Sequence, residues 1–581
     1  MSLLPLVVGC ALILAIAYFT YGRLLSRLLG FDDAQATPAT RLRDDVDYVP
    51  LDRGTLLSQH FSAIAAAGPI VGPIAAGWMF GWAPALIWIL FGSIFIGGVH
   101  DATALFASIR HRGRSIAEVV RENMSGAAYL LFLAFIWLAL IYVVVAFTDI
   151  TAGAFVGLIK LEDGQTVSGG GIATSSLLYL ALPIAMGVLQ RFAKLSTTLA
   201  TIIFLPLVGL SIWLGQQMPL SLETLGNMNE VQAHRVWNML LLLYCLVASI
   251  TPMWLLLQPR GHLGGWFLFL TLIGGGLGLI FSTRTIQYPA FQGWTGVGGQ
   301  PLYPLLFITV ACGACSGFHA MVASGTTAKQ VCRESHVRSI GYGAMLLEAL
   351  VAILSLTCVM ILPATAPELV GGPKPNVLYA RGIGEFLSVV GVPIAFAVSF
   401  ALMAFTTFVY DTLDVCTRLG RYVIQELLGW HTAAGRVFAT AVTVGVPAYF
   451  LWQQPVDAAG KMIPTWRVYW NLFGASNQLL AALTLLGVTI WLWRTRRALW
   501  VLFVTGLPAV FMSAVSLAEL VRTVRSGMAK VVAAEPATWI PRDPVTVVAI
   551  VLIGLASLMI AEAIRVVATM GRSGATPAVA R

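Results

Sequence analysis

Apolar residues dominate this chain in runs that are long enough to cross a membrane as helices. A membrane-spanning helix needs about 20 mostly apolar residues, because each residue adds about 1.5 Å and the hydrocarbon core is about 30 Å thick. About fifteen such runs are present, and they predict an all-α, polytopic membrane protein. The predicted spans lie near 3–29, 59–80, 83–109, 126–157, 172–190, 195–215, 236–257, 262–282, 302–325, 338–362, 384–411, 434–452, 470–493, 498–520 and 544–568.

The composition agrees with a membrane protein. The 581 residues are 58% hydrophobic and only 10% charged, with a mean hydropathy of +0.84. The formal net charge of +9 does not indicate a nucleic-acid partner, because no soluble basic domain is present, and we expect membrane lipids around most of the chain. The first run is too long for a secretory signal and lacks a small-residue cleavage site, so we expect an uncleaved span.

The basic residues predict the orientation of the spans. If the N-terminus is outside, 24 of the 35 Lys and Arg residues fall on the inner side of the membrane. Cytoplasmic loops are enriched in Lys and Arg, so this bias predicts an N-terminus outside and a cytoplasmic C-terminus. In a bacterium this would be the inner membrane. The longest loop, 30–58, is charged and is expected to form a short interfacial structure on the cytoplasmic side.

The second predicted span contains two helix-breaking pairs. Gly68-Pro69 and Gly72-Pro73 lie in the stretch HFSAIAAAGPIVGP, residues 60–73. Proline removes a backbone hydrogen bond and clashes with the preceding turn, so two such pairs are expected to break the helix. A break inside the bilayer survives only where the freed backbone groups face protein, a ligand or a water-filled cavity.

The ninth predicted span is also expected to be broken. Its sequence ACGACSGFHAMVASGTT, residues 311–327, places three glycines and four hydroxyl side chains at membrane depth. Close helix packing explains small residues in general, but it does not require the prolines of the second span. By the charge count the two broken spans run in opposite directions, as an inverted repeat in a secondary transporter would supply. We therefore expect a binding site built by the two breaks.

Six stretches of this sequence resemble the carbon starvation protein A (CstA) family of bacterial inner-membrane transporters. They lie between about residues 60 and 490 and follow one another in the order of that family. The stretches are HFSAIAAAGPIVGPIAA (60–76), GGVHDATALFASIRHRGRS (97–115), PMWLLLQPR (252–260), CGACSGFHAMVASGTTAKQ (312–330), TLDVCTRLGRYVIQE (412–426) and NLFGASNQLLAALTLL (471–486).

This resemblance implies ion-driven uptake of peptides, or of pyruvate and similar small carboxylates. It also implies a fold similar to the amino acid–polyamine–organocation superfamily, in which each of two inverted five-helix repeats starts with a broken helix. The sequence departs from the commoner family pattern at His100, Cys315 and Asp411. The predicted organisation is an N-terminal span and loop (1–58), a transporter core (59–490) and additional C-terminal spans (491–581).

Candidate site residues fall into two groups, one for a small anionic or zwitterionic substrate and one for the coupling ion. The substrate group consists of residues on the two broken spans, namely His60, Ser62, Gly68, Pro69, Gly72, Gly313, Ser316, Gly317 and His319. The ion-coupling group consists of polar residues at membrane depth, namely His100, Asp101, Glu348, Thr406, Thr407, Asp411 and Asp414. Ionisable side chains inside a membrane are costly and are functional candidates for that reason.

Several of these residues have a structural alternative. Asp101 either carries a proton or pairs with Arg110 or another inner arginine to fix helix packing, and Glu348 either relays a proton or bonds to a neighbouring helix. His60 and His319 either titrate in a common cavity or are satisfied core residues.

The eleventh predicted span carries a further set of alternatives. The resemblance implies that Thr406 and Thr407 hold sodium together with carbonyls of the first broken helix, whereas threonines also bond back to their own helix. Asp414 is expected to cap the helix or to pair with Arg418.

Other motifs carry simpler expectations. Asn471, Asn477 and Gln478 are expected to hold helices together through amide hydrogen bonds, with gating as an alternative. Cys312 and Cys315 form a C-x-x-C without the partners of a zinc site, so we expect no metal and read them as small buried residues.

Three functional classes compete. An enzyme is not indicated, because no metal, cofactor or nucleophile motif appears. A channel or a nutrient sensor is the alternative to a transporter. We expect an alternating-access importer coupled to H⁺ rather than Na⁺, with no cofactor, and the sequence leaves its oligomeric state open.

Overall fold

The computed structural model describes residues 2–44, 47–161, 163–453, 455, 463–534 and 543–572. In these residues, thirteen helical segments are long and apolar enough to cross a membrane, and one bent helix pair adds another. The segment 302–325, which covers the predicted ninth span, is split into three helices, each too short to span a membrane alone. The predicted all-α polytopic fold with about fifteen spans is therefore confirmed.

The thirteen spanning segments differ in how deeply they are buried. The apolar part of Thr465–Arg496 is 94% buried by the rest of the protein, so this helix lies at the centre, whereas the values for the first and last segments are only 22% and 28%. The segments are Leu3–Leu29, Trp82–Arg110, Gly126–Ala152, Gly169–Phe192, Thr197–Leu225, Glu230–Ile250, Leu257–Phe281, Glu334–Met360, Ile394–Leu428, Ala433–Trp452, Thr465–Arg496, Leu499–Ala529 and Pro544–Thr569.

Shorter elements connect the spans. Helices Pro38–Arg41, Ile116–Asn123 and Pro375–Val389 lie between spans. Strands Leu158–Lys160 and Thr166–Ser168 form an antiparallel hairpin in which Ile159 pairs with Val167. Three spans contain a π-helical turn, at Ser93–Gly97, Arg338–Gly343 and Leu502–Gly506.

The first broken helix consists of Arg53–Ile64 and Gly68–Phe80, whose axes differ by 47°. The interruption lies at residues 65–67, before both Gly-Pro pairs, and this corrects the prediction that the two pairs themselves form the break. Pro69 lies in the first turn of the second half, where a missing N–H costs nothing. Pro73 lies in the interior of that half and does not end the helix, so this helix tolerates one interior proline.

The second broken helix consists of Leu302–Thr309, Ala311–Ala314 and Gly317–Gly325. Cys315 and Ser316 are fully extended, with φ/ψ of −163°/121° and −125°/124°. This confirms the predicted interruption in the ninth span.

The two breaks pack directly against each other. A Cβ placed on Gly68 would overlap the Cys312 side chain, and one on Gly72 would overlap the carbonyl oxygen of Thr309. Because both positions lack a side chain, the two broken helices approach within backbone contact. In this state the glycines therefore face protein rather than an open cavity.

Loops predicted on the same side of the membrane contact each other. On the predicted cytoplasmic face, Glu334 accepts hydrogen bonds from Arg110 at 2.8 Å and from the Asp32 N–H at 2.9 Å. On the predicted outer face, Arg381 donates to the Lys160 carbonyl at 2.8 Å. The alternation of sides inferred from the charges is consistent with these contacts.

Two predicted boundaries are wrong. The predicted span 384–411 covers the end of helix Pro375–Val389, the turn around Gly391 and only the first half of the 35-residue helix Ile394–Leu428. Hydropathy misplaced this span because the second half of Ile394–Leu428 carries buried polar residues. The predicted span 126–157 ends at Ala152, where the chain turns toward the strand hairpin.

Candidate functional site

Four ionisable side chains meet in the centre of the protein, fully buried, and we call them the His319 cluster: His100, Asp101, His319 and Glu348. Asp101 Oδ1 lies 2.7 Å from His100 Nδ1, and Asp101 Oδ2 lies 2.7 Å from His319 Nδ1. The other ring nitrogen of His319 lies 3.1 Å from Glu348 Oε2. The cluster joins two predicted ion-coupling acids to a histidine of the second broken helix.

Three elements bring this cluster together. Asp101 follows the π-helical turn Ser93–Gly97, and π turns inside helices are frequent at functional sites. His319 lies in the first turn of Gly317–Gly325, directly after the extended break, and Glu348 lies near the start of Ala344–Met360. The break in the ninth span thus places His319 between the two acids.

The geometry requires at least one titratable proton between His319 and Glu348. An ionised Asp101 accepts the Nδ1–H of His319, which leaves Nε2 toward Glu348. A bare nitrogen lone pair and a carboxylate 3.1 Å apart in a dry interior would repel each other, so a proton sits on one of them. In the present state Nε2 and the Glu348 oxygens make no hydrogen bond of ordinary angle to each other.

The predicted alternative for Asp101 is wrong. Arg110 pairs with Glu334 at the predicted cytoplasmic face, and the ion-pair partners of Asp101 in the described residues are His100 and His319, not an arginine. Arg110 is nine residues from Asp101 on one helix, a separation of about 13 Å along the axis. Tyr342 and Ser355 lie on turns near Glu348 in the same span. Their hydroxyls donate to the carbonyls of Ile94 and Val351 and not to Glu348.

A second buried group, which we call the Arg260 cluster, consists of Arg260, Asp411, Asp414, Tyr244 and Ser62. Arg260 Nε lies 2.6 Å from Asp411 Oδ1, and its Nη2 lies 2.5 Å from Asp414 Oδ2. The hydroxyl of Ser62 donates to the other oxygen of Asp411, and that of Tyr244 donates to Asp414 at 2.9 Å. The group holds one positive charge and two carboxyls in a buried site.

Arg260 and Tyr244 were missed by the sequence reasoning. Arg260 belongs to the quoted stretch PMWLLLQPR, but the apolar window moved it into a loop between two predicted spans. The structure begins helix Leu257–Phe281 before Arg260 and buries the guanidinium completely. The available signal was a basic residue at the edge of an apolar run, together with two acids, Asp411 and Asp414, that lie at membrane depth in another part of the chain and need a positive partner.

The predicted pairing of Asp414 with Arg418 is also wrong. Arg418 instead donates to the backbone carbonyls of Ala248 and Thr251, at 2.9 and 2.6 Å. Asp414 therefore takes its positive partner from another helix.

Within the described residues, the predicted sodium ligands Thr406 and Thr407 make no hydrogen bond to the first broken helix. Thr406 donates to the carbonyl of Met403 on its own helix at 3.0 Å and lies 3.4 Å from Ser176. Thr407 is buried and its hydroxyl makes no hydrogen bond within the described residues. The helix meets the first broken helix one turn further on, through Asp411.

A small cavity lies beside helix Arg53–Ile64, the first half of the first broken helix. Its volume is about 30 Å³, enough for one or two water molecules, and its walls include His60, Thr327, Gln330, Arg260 and Asp411. His60 Nδ1 lies 2.9 Å from the hydroxyl of Thr327, while His60 Nε2 is buried without a partner among the described residues. His60 therefore makes no hydrogen bond to His319, although it lies close enough to interact electrostatically with His319 and Asp101.

The remaining substrate candidates line the packed breaks. A Cβ on Gly313 would meet that of Ala352 at 2.8 Å, and Gly317 lies against the backbone of Asn477. The Asn477 side-chain oxygen accepts from the Phe318 N–H at 2.9 Å, and its amide nitrogen donates to Ser316 at 3.0 Å. Binding of substrate by these residues, and by Pro69, stays a prediction.

Two of the three predicted amide residues, Asn477 and Gln478, hold helices together as expected, and the same role for Asn471 stays a prediction. Asn477 caps the last helix of the second break, and Gln478 donates to the Phe307 carbonyl at 2.5 Å. Cys312 and Cys315 are both free thiols and buried. In the described residues no group of three or more His, Cys, Asp or Glu side chains has the geometry of a metal site.

Comparison with protein families assigns most of the chain. The family model described as carbon starvation protein CstA matches residues 2–374 and 367–519. A peptide transporter CstA of Helicobacter pylori (strain J99) is 32% identical over 583 residues, which cover 88% of this chain and 80% of the relative. The pyruvate/proton symporter BtsT of Escherichia coli is 30% identical, again over 88% of this chain and 80% of the relative.

Solved structures with a similar fold are more distant. A manganese transporter of Eremococcus coleocola covers 91% of this chain and 99% of its own with a TM-score of 0.41 and 13% identity. MhsT in complex with L-phenylalanine covers 89% and 99% with a TM-score of 0.45 and 12% identity. Neither likeness is close enough to relate individual residues.

Proposed function

This chain belongs to the carbon starvation protein CstA family, and on that premise we propose that it is a proton-coupled importer working by alternating access. Its substrate is a peptide or a small carboxylate such as pyruvate. Relatives of similar identity carry both names, peptide transporter and pyruvate/proton symporter. These two names are the reason for proposing a peptide or pyruvate-like substrate.

One observation carries the assignment of the coupling ion. Asp101, His319 and Glu348 lie in succession, with 2.7 Å from Asp101 to one ring nitrogen of His319 and 3.1 Å from the other nitrogen to Glu348, and all three side chains are at 0% exposure. These three residues link the third span, the second broken helix and the tenth span. A proton held between His319 and Glu348 is sensitive to any movement of the broken helix, and this is the link that coupled transport requires.

The cellular setting follows from the family and the charge pattern. We place the protein in the bacterial inner membrane, with the N-terminus outside and the C-terminus in the cytoplasm. Transport needs no enzyme chemistry and no cofactor, since a proton is the only species that the His319 cluster has to exchange. The oligomeric state does not enter this scheme.

Reconstitution into liposomes tests the proposal. Liposomes that contain the purified protein are loaded with unlabelled pyruvate or unlabelled dipeptide. Entry of the labelled compound is then measured with and without an inward proton gradient. We expect counterflow of one of the two compounds without a gradient, and accumulation above equilibrium only with the gradient. Counterflow of neither compound would contradict the proposed substrate class, and accumulation that ignores the gradient would contradict proton coupling.

A further inference from the structure

The first broken helix meets two other spans at a junction of oxygen atoms. The hydroxyl of Ser62 donates to Asp411, and the hydroxyl of Thr412 lies 3.5 Å from the carbonyl oxygen of Ala63. Ser62 and Ala63 lie at the end of the cytoplasmic half Arg53–Ile64, directly before the break. The junction thus gathers a carboxylate, two hydroxyls and a main-chain carbonyl from two helices.

Such an oxygen set is typical of sites for hard metal cations. Here the positive charge is supplied by the protein. Arg260 is fully buried, and its Nε lies 2.6 Å from Asp411. A Cβ on Gly264 would overlap both Asp411 and Ser62, so the absence of a side chain there lets helix Leu257–Phe281 press against the junction.

We propose that the Arg260 guanidinium is a resident cation that takes the place of an exchangeable Na⁺ beside Asp411, which the Ser62 hydroxyl joins to the first broken helix. The pair fixes the cytoplasmic half of that helix, and transport is independent of Na⁺. This inference rests on the proposed function, because it specifies which ion the transporter does not use. It also replaces the role that the sequence assigned to Thr406 and Thr407.

The charge balance gives the proposal a measurable consequence. Removing the guanidinium leaves the Asp411 and Asp414 carboxyls buried without a basic partner, and an uncompensated buried charge is strongly destabilising. Methionine has similar length and no charge. In Arg260→Met, a Na⁺ ion entering the junction would restore the lost positive charge.

Thermal unfolding in detergent tests this without any substrate. The unfolding midpoint is measured in NaCl and in choline chloride at equal ionic strength. The native protein is expected to give the same midpoint in both salts. Arg260→Met is expected to unfold at a lower temperature in choline and to be stabilised by NaCl, whereas the matched double variant Arg260→Met/Asp411→Asn is expected to lose that Na⁺ response.

Counterflow in liposomes provides the functional readout. The native protein is expected to transport equally in both salts, and Arg260→Met is expected to fall to about one tenth in choline and to recover at least about threefold in NaCl, as restoring a buried charge partner implies. Arg381→Met, which removes a partly exposed arginine on the outer face, serves as the control and is expected to show no Na⁺ response.

Three results would overturn the inference. The first is a native protein that is stabilised by Na⁺ or requires it for counterflow. The second is an Arg260→Met variant that responds to Na⁺ no more than the double variant does. The third is failure of Arg260→Met to fold in either salt while the double variant folds. Because unfolding needs no substrate, a wrong substrate assignment leaves this test intact.

Discussion

His319 is the residue on which the buried chemistry converges. It touches Asp101 through one ring nitrogen and faces Glu348 with the other, at 2.7 and 3.1 Å. Replacing either acid by its amide keeps the shape but removes the proton site. We expect Glu348→Gln or Asp101→Asn to abolish gradient-driven accumulation in liposomes while leaving exchange partly intact.

Glu519 offers a matched control for that prediction. It is equally buried in a span, but it pairs with Arg522 on its own helix at 2.8 Å. Glu519→Gln is expected to keep accumulation near the native level. Full concentrative uptake by both Glu348→Gln and Asp101→Asn would contradict a role of the His319 cluster in proton coupling.

Asn477 is the residue that makes the second break tolerable. Its side chain accepts the Phe318 N–H, which the extended residues before it leave without a helical partner. Asn477→Ala is expected to lower the free energy of unfolding by about 1–3 kcal/mol, the cost of an unpaired buried donor. The midpoint of thermal unfolding in detergent checks this.

Ser355→Ala is the control for Asn477→Ala. The Ser355 hydroxyl bonds only to the Val351 carbonyl of its own helix, and we expect its loss to change stability little. An Asn477→Ala variant as stable as Ser355→Ala would show that the break needs no cap.

At the scale of single residues, the sequence identified which side chains matter better than which partners they take. Asp101, His319 and Glu348 were singled out because they are ionisable at membrane depth, and they do meet. Their mutual contact was not predicted, since it depends on how three separated spans pack. Arg260 was missed because it lies at the edge of an apolar run, where the predicted boundaries left it in a loop between two spans.

At the scale of elements, the two interruptions define the molecule. Two Gly-Pro pairs predicted the first break, because both residues carry intrinsic helix-breaking costs, and glycines with hydroxyl side chains at membrane depth predicted the second. The position of the first break was misjudged by a few residues, since proline is harmless in a first helical turn. The close packing of the two breaks against each other could not be predicted from local sequence.

Close packing of the two broken helices leads to a prediction at Gly72. A methyl group there would overlap the Thr309 carbonyl, which is backbone and cannot rotate away. We expect Gly72→Ala to destabilise the protein by about 1–3 kcal/mol, as overpacking does. Gly276→Ala is the control, because no atom lies within 4 Å of a Cβ at that position. Equal unfolding midpoints for the two variants would contradict tight contact between the breaks.

At the scale of the whole molecule, topology follows from charge counting and from contacts between loops. We expect a cysteine at Gln165, in the strand hairpin, to react with a membrane-impermeant maleimide added to intact cells. A cysteine at His431, between two spans, is expected to react only after permeabilisation. The background is Cys332→Ser, because the other six native cysteines are buried. The reverse labelling pattern would invert the proposed orientation.

The number of spans and their alternation were predictable because membrane insertion depends on length, hydropathy and basic residues, all local in sequence. The full length of helix Ile394–Leu428 was not predictable, because its second half buries polar residues against other helices. Hydropathy reports contact with lipid, and it says little about helices that are enclosed by protein.

Proton movement during substrate entry is the most direct test of coupling at the His319 cluster. Liposomes containing the protein and a trapped pH-sensitive dye receive the compound that showed counterflow, without an imposed pH gradient and with charge movement clamped. We predict acidification of the interior as substrate enters, and its loss in Glu348→Gln, which still exchanges substrate. Substrate entry by the native protein without any acidification would contradict the account.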